Sequence, residues 1–516
     1  MKRRVSLAVA IGALSGIVVT PQSFSQSDDV VSHTPFSWPR GSTETGFMVT
    51  VTGGKSPTPP STNSIAPVAG SPRYLATFPV CDGSKFGNCV IGVEARTGQG
   101  SWQDADVAVR RLPTRDEEVC VNWIGNDGST FQHKTGRIQQ DISKRIPDGD
   151  TAAIWKVPNA PHSLGDNYLV SVSFRTFPEG TMDRKFSISI IPVSYSQVPQ
   201  RETYGSCTSS LNHVKEANFP NNIEFRLKIR LGVVAQEVST FFSGRINTPQ
   251  IELDGDVLTI SGKPEFEPLA QTQPLLYENL TTDQKRTPSL SRMYGIFSSS
   301  GLPRGSTTFS VGDDLLDGQD AFKSFGIWES SLSEIGKNTS WSLESAGAPY
   351  DCSITGILGL VSSNSLIFSR RPPLWDPKTN ALTYQMASLS RDKEGRQNIG
   401  NFDLVMRSDL IKCLWGFSPS PNQQVEVKIT YGDGRIGAST SSFKVSPEWT
   451  YLNVSGYSFS APLMSVSLRS PVNPKTETRP AVQDKAVLKT ITCFKRKIVK
   501  VVTASNPKCP KGFKRG

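Results

Sequence analysis

Histidine is the scarcest chemically useful residue of this 516-residue chain: His33, His133, His162 and His213 are the only four, and none follows. A Ser-His-Asp hydrolase needs an imidazole against its nucleophile, and no Gly-x-Ser-x-Gly elbow supplies that nucleophile. His162, in Ala-Pro-His-Ser-Leu-Gly, and His213, in Leu-Asn-His-Val-Lys, read as loop or surface groups. Neither His-x-x-x-His nor Cys-x-x-Cys occurs, which leaves a zinc site without its usual spacing. No catalytic, metal or cofactor site is expected. Long apolar runs are missing after the first twenty residues, so no membrane-spanning helix is expected beyond that point. A hydrophobic C-terminal anchor is missing too.

Acid is absent from residues 486–516, which carry nine Lys and Arg. The first 25 residues add three more basic groups and no acid, so of the net +10 the remaining body holds −2. A near-neutral body with a cationic end argues against nucleic-acid readout, because a basic tail attracts phosphate without reading sequence.

What is present begins with Lys2-Arg3-Arg4, an apolar stretch from Val5 to Val19, and Ser23-Phe24-Ser25. This basic, apolar, cleavable order predicts a secretory signal peptide over residues 1–25, with the mature chain starting near Gln26. The apolar stretch is shorter than the roughly 20 residues that cross a bilayer. Eight cysteines (Cys81, Cys89, Cys120, Cys207, Cys352, Cys413, Cys493 and Cys509) in an exported chain favour disulfides over metal or free thiols. Eight allow 105 connectivities. Pairing in sequence order keeps each bridge within one segment, and other pairings remain open.

Period-two alternation dominates the body. Ile223, Phe225, Leu227, Ile229 and Leu231 alternate with Glu224, Arg226, Lys228 and Arg230. The same pattern carries Val170, Val172 and Phe174, then Phe186, Ile188 and Ile190 after Pro178-Glu179-Gly180. It returns at Val425, Val427 and Ile429, and at Met464, Val466 and Leu468. Asp127-Gly128, Asp254-Gly255 and Asp433-Gly434 supply hairpin turns. The expected fold is all-β: tandem antiparallel β-sandwich-like domains with a small basic C-terminal hairpin. Residues 26–74 read as an extended N-terminal segment, with the Pro/Ser/Thr/Gly-rich stretch Thr52 to Pro72 as linker. Residues 75–262 form the first β domain, and 263–300, with four prolines, read as linker-like. The second domain takes 301–470, a stalk 471–487, and the basic disulfide tail 488–516. Leu315 to Ile335, interrupted by Gly318 and Gly326, is the place for one or two short helices.

Three stretches resemble a known group. They are Phe402-Asp-Leu-Val-Met-Arg-Ser-Asp-Leu-Ile-Lys-Cys413-Leu-Trp-Gly, Tyr457-Ser-Phe-Ser-Ala-Pro462, and the tail from Thr490 through Cys493 and Cys509 to Lys514. Phe242-Ser-Gly-Arg245 extends the likeness. Together they resemble uncharacterised secreted actinobacterial proteins in which a β-rich body ends in a basic two-cysteine tail. The resemblance spans residues 300–516 and implies location and architecture, with no activity attached.

Other candidates are weighed by their chemistry. Asp313, Asp314, Asp317 and Asp320 offer oxygens to calcium, but their spacing departs from the calcium-loop pattern. Capping of a helix N-terminus is the better account. Exposed Trp rings stack on sugars. Trp123 and Trp415 read as core, whereas Trp375, in Pro-Pro-Leu-Trp-Asp-Pro, sits in a turn-like setting that suits exposure. Asn279, Asn338 and Asn453 each begin a glycosylation sequon. In the tail, a Cys493–Cys509 bridge would gather Lys495, Arg496, Lys497, Lys500, Lys508, Lys511, Lys514 and Arg515. Near an anionic surface each is worth about 1 kcal/mol, and solubilisation is the alternative role. The function expected is that of an exported non-enzymatic surface protein (structural, adhesive or ligand-capturing), held to anionic cell-wall or envelope polymers by this tail. A carbohydrate-binding module that takes glycans, or a secreted hydrolase with a carboxylate pair, are the rivals.

Overall fold

The structure, a computed structural model, describes residues 46–52, 73–83, 87–112, 119–124, 130–134, 147–176, 185–197, 213–236, 240–287, 306–312, 318–347, 349–369, 371–469, 489–495, 498–504, 508–509 and 513–515. The expected signal peptide, stalk and most of the N-terminal segment lie outside them, as do Asp313, Asp314 and Asp317.

The fold is all-β and sandwich-like, with mainly antiparallel pairing. The strands that position the site are β1 (Cys89–Thr97), β2 (Asn167–Thr176), β3 (Lys185–Tyr195), β4 (Ile223–Arg230), β5 (Thr240–Asp254), β6 (Val257–Thr272), β7 (Leu332–Gly347), β8 (Ile357–Ser363), β9 (Ala381–Ala387), β10 (Ile399–Arg407), β11 (Val425–Thr430), β12 (Trp449–Ser458) and β13 (Leu463–Leu468). The alternation seen in the sequence becomes burial. In β4, Ile223, Phe225, Leu227 and Ile229 are at most 2% exposed, and the strand pairs antiparallel with β1 on one side and β6 on the other. In β2 and β3 the buried residues Val170, Val172 and Phe174 meet Ile190, Ile188 and Phe186 in register. The β5–β6 hairpin closes at Asp254↔Val257, so its two-residue turn is Gly255-Asp256, one residue later than the Asp-Gly signal suggests. Gly255 supplies the positive φ of 59° that this turn requires. Asp433-Gly434 turns as expected, joining β11 to Ile436–Gly437.

Two hydrophobic cores share one wall. Strands β5, β7, β8, β10 and β12 form this central sheet, and consecutive residues point to opposite cores. Phe242, Leu360 and Val405 face the core that contains β2, β3 and β4, whereas Phe241, Val361 and Leu404 face the core covered by β9, β11 and β13. A strand buried on both faces reads as a continuous apolar run rather than an alternating one, which is the pattern of Ile357-Leu-Gly-Leu-Val361. Close approach fixes two glycines here. A Cβ on Gly244 would lie 2.1 Å from the Ser342 carbonyl oxygen, and one on Gly359 would lie 2.4 Å from both the Phe241 ring and the Val405 carbonyl oxygen.

Residues 263–272 were expected to open a linker, and they are instead the second half of β6. Pro264 pairs with Ile246 of β5 and the next residue, Glu265, pairs with Ser340 of β7. A proline donates nothing to a ladder, and it is tolerated where the strand changes partners. The helix reading also shifts. One helix runs Gly318–Trp328 through Gly326, a 3-10 turn follows at Glu329–Ser331, and β7 begins at Leu332. The helix Ser408–Trp415, absent from the sequence reading, buries Leu410, Ile411 and Trp415 and ends on Gly416 at φ 77°.

Disulfides join Cys81 to Cys89 and Cys352 to Cys413, both in sequence order. Cys509 is also disulfide-bonded. The side chains of Cys120, Cys207 and Cys493 lie outside the described residues. In the tail, Lys489–Lys495 pairs antiparallel with Ile498–Ala504, and Lys514–Arg515 pairs with the first of these.

Candidate functional site

The chemistry-bearing side chains that converge do so inside the molecule, where β5 and β6 change partners. Arg245 ends the stretch of β5 paired to β7, and a register shift between Asn247 and Gln250 follows, with Thr248 at φ 51°. Bulges of this kind re-aim side chains and interrupt the ladder. Glu265 begins the part of β6 paired to β7, and Asp403 lies on β10 opposite Asn453 of β12. Arg245, Glu265, Glu267 and Asp403 are all at most 4% exposed.

The Asn401 side-chain amide ties two of the acids together. Its Nδ2 donates to Glu265 Oε2 at 2.9 Å and to Asp403 Oδ2 at 3.0 Å. Those two oxygens share one donor nitrogen, so they are at most about 6 Å apart. Asn453 Nδ2 donates to Asp403 Oδ1 and Asn401 Oδ1, both at 2.9 Å. Asn247 Nδ2 donates to Glu265 Oε2 at 3.0 Å, and the backbone N–H groups of Phe266 and Thr248 donate to Glu265 and Asp403. Every one of these donors is neutral. Burial pushes the Glu265 carboxyl above its ordinary range, and the Asp403 charge adds to that push against the amide donors. Burial raises Asp403 likewise, opposed by Asn453, Thr248 and Asn401.

Arg245 makes its own contacts in this corner. Its Nε lies 3.7 Å from Glu267 Oε1, its Nη atoms donate to the carbonyls of Ser363 and Leu366, and its guanidinium lies 5.0 Å from the Phe368 ring centre. Burial lowers its pKa and the charges of Glu267 and Glu265 raise it, with burial prevailing. Tyr457, fully buried, packs its ring so close to Gly400 that a Cβ there would lie 2.1 Å away. Arg245, Asp403 and Tyr457 belong to three of the stretches that carried the sequence resemblance, and the fold brings them to one corner.

Glycoside cleavage uses a carboxylate pair with the sugar lying between the two acids. Burial of both carboxyls closes that route in this conformation. The two histidines whose side chains are described are committed to backbone, and His33 and the His133 side chain lie outside the described residues. His162 Nε2 is 2.9 Å from the Asn167 carbonyl oxygen, its Nδ1 accepts from the Leu164 N–H, and burial lowers its pKa. His213, expected at a loop or surface, is 7% exposed and bonds Ser196 O through Nδ1 at 3.0 Å.

The aromatic candidates whose side chains are described are engaged as well, and the Trp123 side chain lies outside the described residues. Trp155, Trp328, Trp341, Trp415 and Trp449 are buried. Trp375, expected to be exposed, is half-buried with its ring centre 4.7 Å from that of Trp415, edge to face. Trp102 has two guanidiniums over its ring, Arg96 at 4.4 Å and Arg226 at 4.0 Å from the ring centre. These arginines are themselves paired with Glu224 and Glu94, and Lys228 also pairs with Glu94, so the cations here are already engaged in an ion-pair lattice. Of the three sequons, Asn279 is exposed, Asn338 is 8% exposed, and Asn453 spends its amide inside the corner. The Asp320 side chain, together with Asp313, Asp314 and Asp317, lies outside the described residues. So do the side chains of Lys495 and Lys500 and the whole of Arg496, Lys497 and Lys511, whereas Lys508, Lys514 and Arg515 are exposed. Among the described residues no cluster of three or more metal-ligating side chains is found, and no helix is long and apolar enough to cross a membrane.

No protein-family model matches this chain, and no curated protein matches it.

Proposed function

We propose that this chain is an exported, non-catalytic surface protein whose β-rich body displays or captures a ligand and whose basic tail holds it at anionic envelope polymers. The observation that carries the reading is oxidation: Cys81–Cys89 and Cys352–Cys413 are bonded, and no described cysteine is free. Structural disulfides persist in oxidising compartments, and the basic, apolar, cleavable order of residues 1–25 gives a route to one. The concentration of nine basic residues without acid in residues 486–516 supports retention at a polyanion. Burial of the Glu265–Asp403 pair favours binding over hydrolysis there.

Fractionation tests the tail. Deleting residues 486–516 is expected to move the protein from the envelope fraction to the medium at low salt. Raising the salt should release the full-length protein in the same way, because screening shortens the reach of exposed charges to about 8 Å at physiological ionic strength. An unchanged envelope-bound fraction after the deletion would remove the tail from the account.

A further inference from the structure

We infer that Glu265 and Asp403 form a proton-held clasp between β6 and the β10–β12 pair, tight while the two carboxyls carry a proton between them and loosened when both are ionised. The geometry carries this. Two acids on different strands meet at one amide, with all their hydrogen bonds from neutral donors. Like charges at this separation in a water-excluded site disfavour double ionisation, as does burial itself. Amide donors stabilise a carboxylate without neutralising it, so among the groups around the corner only the field of Arg245, felt at Glu265, works against the repulsion.

The other ionisable groups around the corner are few. From β5 comes Arg245, whose close ion pair is with Glu267 rather than with the clasp. From β6 comes Glu267, from β9 Tyr384, and from β12 Tyr457. Tyr431, at the end of β11, acts electrostatically on Tyr457. Burial raises Tyr457, which keeps it neutral across the range in question. Arg245 alone supplies positive charge among these groups.

The sign follows from linkage. Both acids have folded-state pKa values above their unfolded ones, so the folded state binds the extra proton. The stability they contribute is complete below the ordinary carboxylate range, near pH 4, and is lost as pH rises through the folded values. At lower pH a different set opposes it. Burial raises the Glu94 carboxyl and the ion pairs with Lys228 and Arg226 lower it, with lowering prevailing, so its contribution disappears on strong acidification. The clasp therefore predicts a stability maximum on the mildly acidic side and a decline towards alkaline pH.

The experiment follows the urea unfolding midpoint of the full chain from pH 4.5 to 8.5, for the wild type and for Glu265→Gln and Asp403→Asn. The wild-type midpoint should fall as pH rises. Each amide variant should match it at the acid end, exceed it at pH 8, and show a flatter slope. Parallel pH profiles for wild type and variants would overturn the clasp. If neither variant folds, infrared titration of the carboxylic C=O stretch decides on proteins that do. Glu329 and Glu334, which burial also raises, are removed as Glu329→Gln and Glu334→Gln. A protonated carboxyl signal persisting above the ordinary range in that double variant supports the clasp, and its disappearance refutes it.

Discussion

Replacing Arg245 by Met is expected to destabilise the protein by about 3–5 kcal/mol, the usual cost of removing one partner from a buried ion pair. Methionine keeps most of the volume, so the loss reads charge and hydrogen bonding rather than a cavity. The fully buried guanidinium lies against Glu267, and its Nη atoms satisfy the carbonyls of Ser363 and Leu366 at the end of β8. Without it, two buried carbonyl oxygens lose a donor and Glu267 loses its guanidinium. Arg245 also stands in the field of Glu265, so its removal should push the clasp acids towards protonation and steepen the decline of stability with pH. Urea denaturation at pH 5 and pH 8 measures both effects. A cost below about 1 kcal/mol, the scale of an exposed ion pair, would show that the arginine is not buried as described.

Trp341→Ala should cost a similar amount, about 3–5 kcal/mol, by a different mechanism. Trp341 lies on β7 in the shared wall, is fully buried, and donates its indole N–H to the Gly262 carbonyl oxygen at 2.9 Å. Alanine removes the ring from a close-packed layer and leaves that carbonyl without its partner. Trp341→Phe separates the two terms, since it keeps most of the ring and loses the hydrogen bond at about 1 kcal/mol, plus the cost of the smaller ring. Trp102→Ala is the surface comparison. Its ring, under Arg96 and Arg226, is half-exposed, where such contacts amount to about 0.5–1 kcal/mol. Equal losses at positions 102 and 341 would contradict the placement of the core.

The strands whose period-two pattern has one wet face were legible in the sequence, because burial on one face writes itself as alternation. The central wall was not. Phe241-Phe242 and Leu404-Val405 divide between two cores, and a strand buried on both faces loses the period by which strands are recognised. The candidate site was hidden by the same physics at a corner. In Pro264-Glu-Phe-Glu-Pro268 the acids turn inward while Phe266 is 55% exposed, the reverse of the usual pattern, and the two prolines suggest a linker. One signal was present. Asp403 stands alone between Phe402 and Leu404-Val-Met406, and an acid inside an apolar run must find partners when buried. Its partners are the Thr248 backbone N–H, Asn401 and Asn453, and no local pattern encodes the first, 155 positions away, or the last. The helix Ser408–Trp415 was missed for a simpler reason: eight residues give barely two turns of periodicity to read.

The account rests on a β-structured body that is oxidised outside the cytoplasm. Non-reducing peptide mapping of the protein, after alkylation of material separated into cytoplasmic and extracytoplasmic fractions, tests this directly. The predicted result is extracytoplasmic protein beginning near Gln26, with the Cys81–Cys89 and Cys352–Cys413 peptides linked and unalkylated. Full-length chain confined to the cytoplasm, with all four of these cysteines alkylated as free thiols, would contradict it.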